Sequence, residues 1–156
     1  MSLRVRAMQE SDLDSVYAIE IAAHRAPWGR QIISDCVFVG YDCRVLEVET
    51  DSEAVIASYI ICRYSEEMCH ILNLCVSPLL QGKGYGGCLL QDVIDSPAQQ
   101  DTVAMVLEVR PSNLTALRLY KKMGFYQLGI KQGYYRDEDS IEDAIVLKKM
   151  IHKSNS

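Results

Sequence analysis

Residues 71–90, ILNLCVSPLLQGKGYGGCLL, run from an apolar strand through a five-residue loop and four glycines into the start of a helix. Glycines in a helix's first turn leave its leading backbone N–H groups uncovered, and the helix dipole adds partial positive charge there. This order of elements builds a cradle for an anion such as a diphosphate. The fold must therefore present a strand end and a helix start at one edge of a sheet.

Two motifs overlap in the cradle. Gly82-Lys83-Gly84-Tyr85-Gly86-Gly87 satisfies G-x-G-x-x-G, and Glu108 follows Gly87 by 21 residues at a strand end, where a ribose-binding acid belongs in a dinucleotide site. Against that reading, the loop Ser77-Pro78-Leu79-Leu80-Gln81 replaces the tight strand-to-glycine turn, and a run of strands precedes the unit. The 48 residues after Glu108 are also too few to complete a doubly wound sheet. A nucleoside-triphosphate loop fails because Gly82-Lys83 is followed by Gly84 instead of Ser or Thr.

At 156 residues and 49% hydrophobic, the chain is expected to form one domain over 1–151, with 152–156 a disordered tail. A net charge of −5 with scattered basic residues argues against nucleic-acid binding and suits a basic partner. Six cysteines at 36, 43, 62, 69, 75 and 88 form no C-x-x-C pair and sit in apolar runs, so they read as reduced small hydrophobes of a cytoplasmic protein. The three histidines have no metal spacing with them, and no metal is expected. Neither an apolar signal core nor a membrane-length apolar stretch is visible.

Periodicity predicts strands over 3–7, 44–50, 54–64, 68–76, 103–109, 126–130 and 144–149. It predicts helices from a Ser11 cap to about Arg25, over 30–37, 84–95 and 114–123, and a polar connection over 134–143. The continuous apolar run 103–109 belongs to a central strand reached by a helical crossover. The class is α/β (α+β), a mixed, mostly antiparallel sheet of six or seven strands flanked by about four helices. Trp28, after the helix-breaking Pro27, is either a core plug or a wall of a substrate groove.

The second frame in the cradle starts one residue earlier, at Gln81-Gly82-Lys83-Gly84-Tyr85-Gly86. It is similar to the Arg/Gln-x-x-Gly-x-Gly/Ala motif of the GNAT superfamily of acetyltransferases. Leu107 to Asn113 (LEVRPSN) and Ala116 to Phe125 (ALRLYKKMGF) resemble the later motifs of that superfamily in order and spacing. Gly133-Tyr134-Tyr135, Glu142-Asp143-Ala144 and Ala26-Pro27-Trp28 extend the likeness to the bacterial ribosomal-protein-alanine N-acetyltransferases, over nearly the whole chain.

The resemblance implies acetyl-CoA as cosubstrate. Its pyrophosphate would lie on Gly82, Lys83, Gly84, Tyr85, Gly86 and Gly87, its pantetheine arm along the backbone of Leu74, Cys75 and Val76, and Asn113 would contact CoA besides capping a helix. It also implies Glu108 as the base that deprotonates the acceptor amine, directly or through water, and Tyr120 as the acid that protonates the leaving thiolate. At the end of a buried strand, Glu108 is expected to have a raised proton affinity. On the residues alone, Tyr120 belongs to the apolar stripe Ala116, Leu119, Tyr120, Met123, and Glu108 is a partner for Arg110. Cys75 and the Cys69-His70 neighbours make no nucleophilic pair, because adjacent strand residues face opposite ways.

The acceptor that the resemblance implies is the α-amine of a protein N-terminus, the alanine of a small-subunit ribosomal protein, held against Trp28 and Tyr134. The alternatives are a small amine enclosed by residues 133–143 and Trp28, or an acyl-CoA-binding domain without turnover.

Overall fold

The computed structural model describes residues 2–151, so the expected tail at 152–156 lies outside the described residues. The strands are β1 (Ser2–Ala7), β2 (Asp42–Glu49), β3 (Ala54–Ser65), β4 (Met68–Val76), β5 (Ala104–Val109), β6 (Tyr126–Arg136) and β7 (Ile141–Met150). The helices are α1 (Leu13–Ala23), α2 (Arg30–Phe38), α3 (Tyr85–Ile94) and α4 (Leu114–Lys122). All seven strands form one sheet in the order β1-β2-β3-β4-β5-β7-β6, antiparallel everywhere except β4–β5. That single parallel pair follows from the α3 crossover, since a hairpin cannot bring two strands in the same direction. No helix among the described residues is long and apolar enough to cross a membrane.

Side-chain alternation along the strands feeds two cores. One face of the sheet packs Ile60, Cys62, Cys69, Leu89, Leu90, Met105 and Leu107 under α3 and α4. The other packs Val45, Tyr59, Ile61, Cys43 and Cys75 under Leu13, Val16, Ile33 and Cys36 of α1 and α2. Five of the six free cysteines are buried in these layers as small hydrophobes, and Cys88 is exposed.

The feature that positions the site is the parting of β4 from β5. The two strands pair only from Met68↔Ala104 to His70↔Val106. On its other side β4 carries a bulge, because Cys62 pairs with Ile71 and Ile61 with Asn73, which leaves Leu72 without an opposite residue. An extra residue bends the bulged strand and resets its alternation. Before the bulge Cys69 and Ile71 face the α3 core; after it Leu74 and Val76 do, while Cys75 turns to the α1 side. From there to Val76 the β5-facing edge of β4 has no strand partner among the described residues.

Three local expectations change. Ser11 does not cap α1; a short turn Glu10–Asp12 precedes the helix, and the Asp12 carboxylate accepts the Gln9 N–H at 2.7 Å and two bonds from Arg6 at 2.7 and 2.8 Å. The helix stops at Ala23, with His24 already extended (φ −112°, ψ 138°). Glu20 causes this early exit by accepting the Trp28 N–H at 2.9 Å, which folds the chain back over the last turn. The segment 134–143 is mostly strand, since β6 runs to Arg136 and β7 begins at Ile141. Its alternation was hidden by register shifts, one of them spanning Gly133 at φ +60°.

Candidate active site

The wedge between β4 and β5 opens into a cleft of two lobes, of about 330 and 320 Å³. Both are lined by His24, Leu74, Asn113, Ala116 and Tyr120, which mark their junction.

One lobe is the anion side. It runs along Leu74, Cys75 and Val76 to Gly82, Gly84, Tyr85, Gly86 and Gly87, so nine of the ten residues expected to hold acetyl-CoA, Asn113 included, line it. Lys83 is the exception: it is exposed and outside the lining, because the backbone turn around it points the side chain to solvent. Gln81, which opens the second glycine frame, does line the lobe and donates weakly to the Val76 carbonyl at 3.5 Å. Gly84 sits before α3 at φ +83°, a conformation that costs any residue with a Cβ. No side chain caps this end, and the first helical bond runs from Cys88 N–H to Gly84 C=O at 3.0 Å. The N–H groups of Gly86 and Gly87 are thus left for a ligand. A Cβ on Gly86 would lie 3.2 Å from Val76, so glycine also lets the helix start press against β4.

Cys75 contributes backbone only to this lobe. Its side chain is buried on the opposite face, and burial pushes the thiol up to about 12, which keeps it protonated and inert.

The other lobe carries the charge chemistry. Glu108, on β5 just past the point where β4 departs, has both oxygens engaged: Oε2 lies 2.6 Å from His70 Nε2 and Oε1 2.8 Å from Lys131 Nζ. Arg63 lies 3.4 Å from His70 Nδ1 and can only donate, so the His70 proton sits on Nε2 and points at Glu108. The bond from His70, helped by Lys131, outweighs burial and holds the Glu108 carboxyl down to about 2. The expected rise in proton affinity is therefore reversed. Arg110 is not its partner; it pairs with Glu142 at 3.1 Å and lies 4.3 Å over the Tyr135 ring.

Tyr120 stands on α4 against the edge of Phe125, with ring centroids 5.4 Å apart, and burial raises its phenol well above the ordinary tyrosine range. It is both a core residue and a cleft residue, since it lines both lobes. Trp28 likewise packs on the α1–α2 core and walls the charged lobe. Tyr134 lines the same lobe from β6, half-exposed and edge-on to Tyr135 at 4.9 Å. Arg25 ties the end of α1 to the β6–β7 turn, 2.8 Å from Ser140 Oγ and 3.3 Å from Asp137.

Sequence reasoning missed Glu20, His24, His70 and Asn73. Glu20 is 1% exposed and accepts from Asn73 Nδ2 at 2.7 Å, from the Tyr59 hydroxyl and from the Trp28 N–H. Its signal was in the pattern: Leu13, Val16 and Glu20 recur at helical spacing, which puts a carboxylate on α1's buried stripe. His24 is the i+4 residue from it.

The acetyltransferase (GNAT) family profile matches residues 11–125. The [Ribosomal protein bS18]-alanine N-acetyltransferase of Escherichia coli (strain K12) is 29% identical over 143 residues, 92% of this chain and 94% of that protein. A Bacillus subtilis (strain 168) relative is 30% identical over 149 residues, 96% of each chain. The crystal structure of the ribosomal-protein-S18-alanine N-acetyltransferase from Escherichia coli superposes with a TM-score of 0.85 at 28% identity, covering 99% of this chain and 97% of that one. A parted β4–β5 pair with a glycine-led helix at its end, a family profile matched over residues 11–125, and sequence and fold matched along almost the full length mean that the chain belongs to the acetyltransferase (GNAT) family.

Proposed function

We propose that the protein transfers the acetyl group of acetyl-CoA to the α-amine of a protein N-terminus, the N-terminal alanine of a small-subunit ribosomal protein. The observation that carries this reading is the pair of lobes meeting at Tyr120, one an anion cradle and the other holding a fixed carboxylate, Glu108. The donor follows from the family, whose acetyltransferases use acetyl-CoA. The acceptor follows from near-full-length similarity to enzymes named for the alanine of bS18, and from a net charge of −5 that attracts a basic protein.

In this reading the pyrophosphate accepts bonds from the Gly86 and Gly87 N–H groups, and the pantetheine arm pairs with the free edge of β4 as an added strand. That delivers the thioester to the lobe junction beside Tyr120. Glu108, already anionic, pairs with the α-amine and takes its proton directly or through water, with Trp28 and Tyr134 as the walls for the first residues of the peptide. Tyr120, kept protonated by burial, gives its proton to the departing thiolate.

One feature favours a small amine instead: the Arg25 bridge to Asp137 and Ser140 narrows the charged lobe between α1 and the β6–β7 turn. A CoA-release assay over alanine-led peptides, peptides with other first residues and small primary amines separates the two. The fastest turnover is expected with alanine-led peptides; turnover confined to the free amines would sink the N-terminal reading.

A further inference from the structure

The charged lobe has two facing walls. Arg25, Ala26 and Trp28, just beyond α1, line one; Tyr134, Tyr135 and Arg136, at the end of β6, line the other. With β4 and β5 as the floor and acetyl-CoA in the other lobe, the gap between these walls is the way out for the rest of a bound peptide. Arg25 closes that gap. Its guanidinium donates to Ser140 Oγ at 2.8 Å and lies 3.3 Å from Asp137 Oδ2, and no other polar contact joins the two walls among the described residues. Even hydrogen-bonded backbones stand about 4.8 Å apart, so no polypeptide passes between atoms this close. The two ends of the bridge are held differently. Asp137 Oδ1 accepts the N–H groups of Asp139 and Ser140 at 3.0 and 2.8 Å and the Ser140 hydroxyl at 3.0 Å, so the turn keeps its own shape. Oδ2 is left without an aligned hydrogen bond and has the Arg25 Nε as its neighbour. The Arg25 side chain is 56% exposed and makes no other hydrogen bond or ion pair among the described residues. An ion pair this exposed is weak, and it opens at small cost.

We propose that Arg25 determines which acceptors are admitted by their length. Its bridge to Asp137 and Ser140 closes the exit of the charged lobe, so a compact amine enters with the bridge in place, whereas a protein N-terminus binds only when Arg25 swings out. The proposal rests on the acetyl-transfer reading above and adds a selection step to it. Glu108 and Tyr120 keep their roles, since neither takes part in the bridge. The narrowing that favours a small amine in the resting structure is then a closed gate and not a fixed wall. Only the open fraction of the protein is competent for peptides, and the apparent peptide affinity is reduced by that fraction.

The test is Arg25→Ala, with Asp137→Asn beside it, assayed with acetyl-CoA and two acceptors: alaninamide, and an alanine-led peptide without charged side chains. Asn keeps the Oδ1 that closes the turn and loses the charge. In Arg25→Ala the peptide KM is expected to fall by about three- to tenfold, while kcat, the KM for acetyl-CoA and the KM for alaninamide stay within about twofold. Asp137→Asn is expected to shift the peptide KM the same way by less, because the Ser140 bond survives. Raising the salt from about 0.05 to 0.5 M should lower the peptide KM of the unaltered protein and leave that of Arg25→Ala level, since only the former has an ion pair to screen. A merely structural arginine would give no such difference. A peptide KM unchanged in Arg25→Ala overturns the proposal, and so does a higher one, which would make Arg25 a clamp on the bound chain. An equal fall for alaninamide also overturns it, because that is a wider lobe without a gate. Should the variants fail to fold, the salt response of the unaltered protein decides, and a peptide KM that does not fall overturns the proposal. An unaltered protein that acetylates no peptide removes the N-terminal reading itself. Peptide turnover with unmoved KM values removes only the gate.

Discussion

Replacing Glu108 with Gln removes a carboxylate that His70 and Lys131 hold down to about 2, against an ordinary value of 4.5. Because the folded value is the lower one, the carboxylate stabilises the fold above pH 4.5 and loses that contribution as pH falls toward 2. The difference corresponds to about 3 kcal/mol at neutral pH, and to about 2 kcal/mol once the half-exposed Lys131 is discounted for solvent screening. At pH 3 less than half of it is left by the same relation. Urea unfolding of the unaltered protein and of Glu108→Gln should therefore give a gap of about 2 kcal/mol at pH 7 that shrinks to about 1 kcal/mol at pH 3. The two proteins should share one m-value, which shows that the comparison concerns the same transition. A gap of equal size at both pH values would refute the reasoning, for it would mean that Glu108 acts through packing rather than through its ion pairs. A gap that widens at low pH would mean that its proton affinity is raised, as burial alone demands.

Two other substitutions probe the junction and the cradle. Tyr120→Phe should lower kcat by about 10²-fold or more in the peptide assay while CoA binding by calorimetry stays close to that of the unaltered protein, because the ring and its Phe125 contact survive. Gly84→Ala should cost about 1–2 kcal/mol in urea unfolding, since a Cβ there meets no neighbour and the penalty is that of the +83° backbone alone. It should also weaken CoA binding, because relaxing that φ turns the leading N–H groups of α3 away from the lobe.

The residues whose place depends on local order were legible in the sequence. A glycine cluster between an apolar strand and a helix can only present N–H groups at the helix start, and Gly82, Gly84, Gly86 and Gly87 all line the anion lobe. The parallel β4–β5 pair followed from the crossover, and Glu108 and Tyr120 from their places at the end of one strand and on the inner stripe of the next helix. What stayed hidden depends on distant segments. Nothing local says that Glu20 will meet Tyr59 and Asn73, which lie 39 and 53 residues away. The proton affinity of Glu108 was misjudged for the same reason: burial is visible in a strand pattern, whereas His70 and Lys131 reach it from two other strands. Lys83, a charge suited to a phosphate, is set on a turn that faces solvent, a placement its sequence neighbours do not reveal. Strands were legible over 126–130 and 144–149, but their extension toward the β6–β7 turn was not, because the register shifts and Gly133 break the period of two on which strand reading depends.

Acetyl-CoA and an alanine-led peptide carrying one internal lysine, followed by mass-spectrometric location of the modification, test the central claim most directly. An α-amine near 7.7–8.0 is far easier to deprotonate than a lysine near 10.4. The account predicts one acetyl group, on the terminal nitrogen, and no reaction when that nitrogen is blocked beforehand. Acetylation of the lysine side chain, or equal turnover of the blocked peptide, would contradict it.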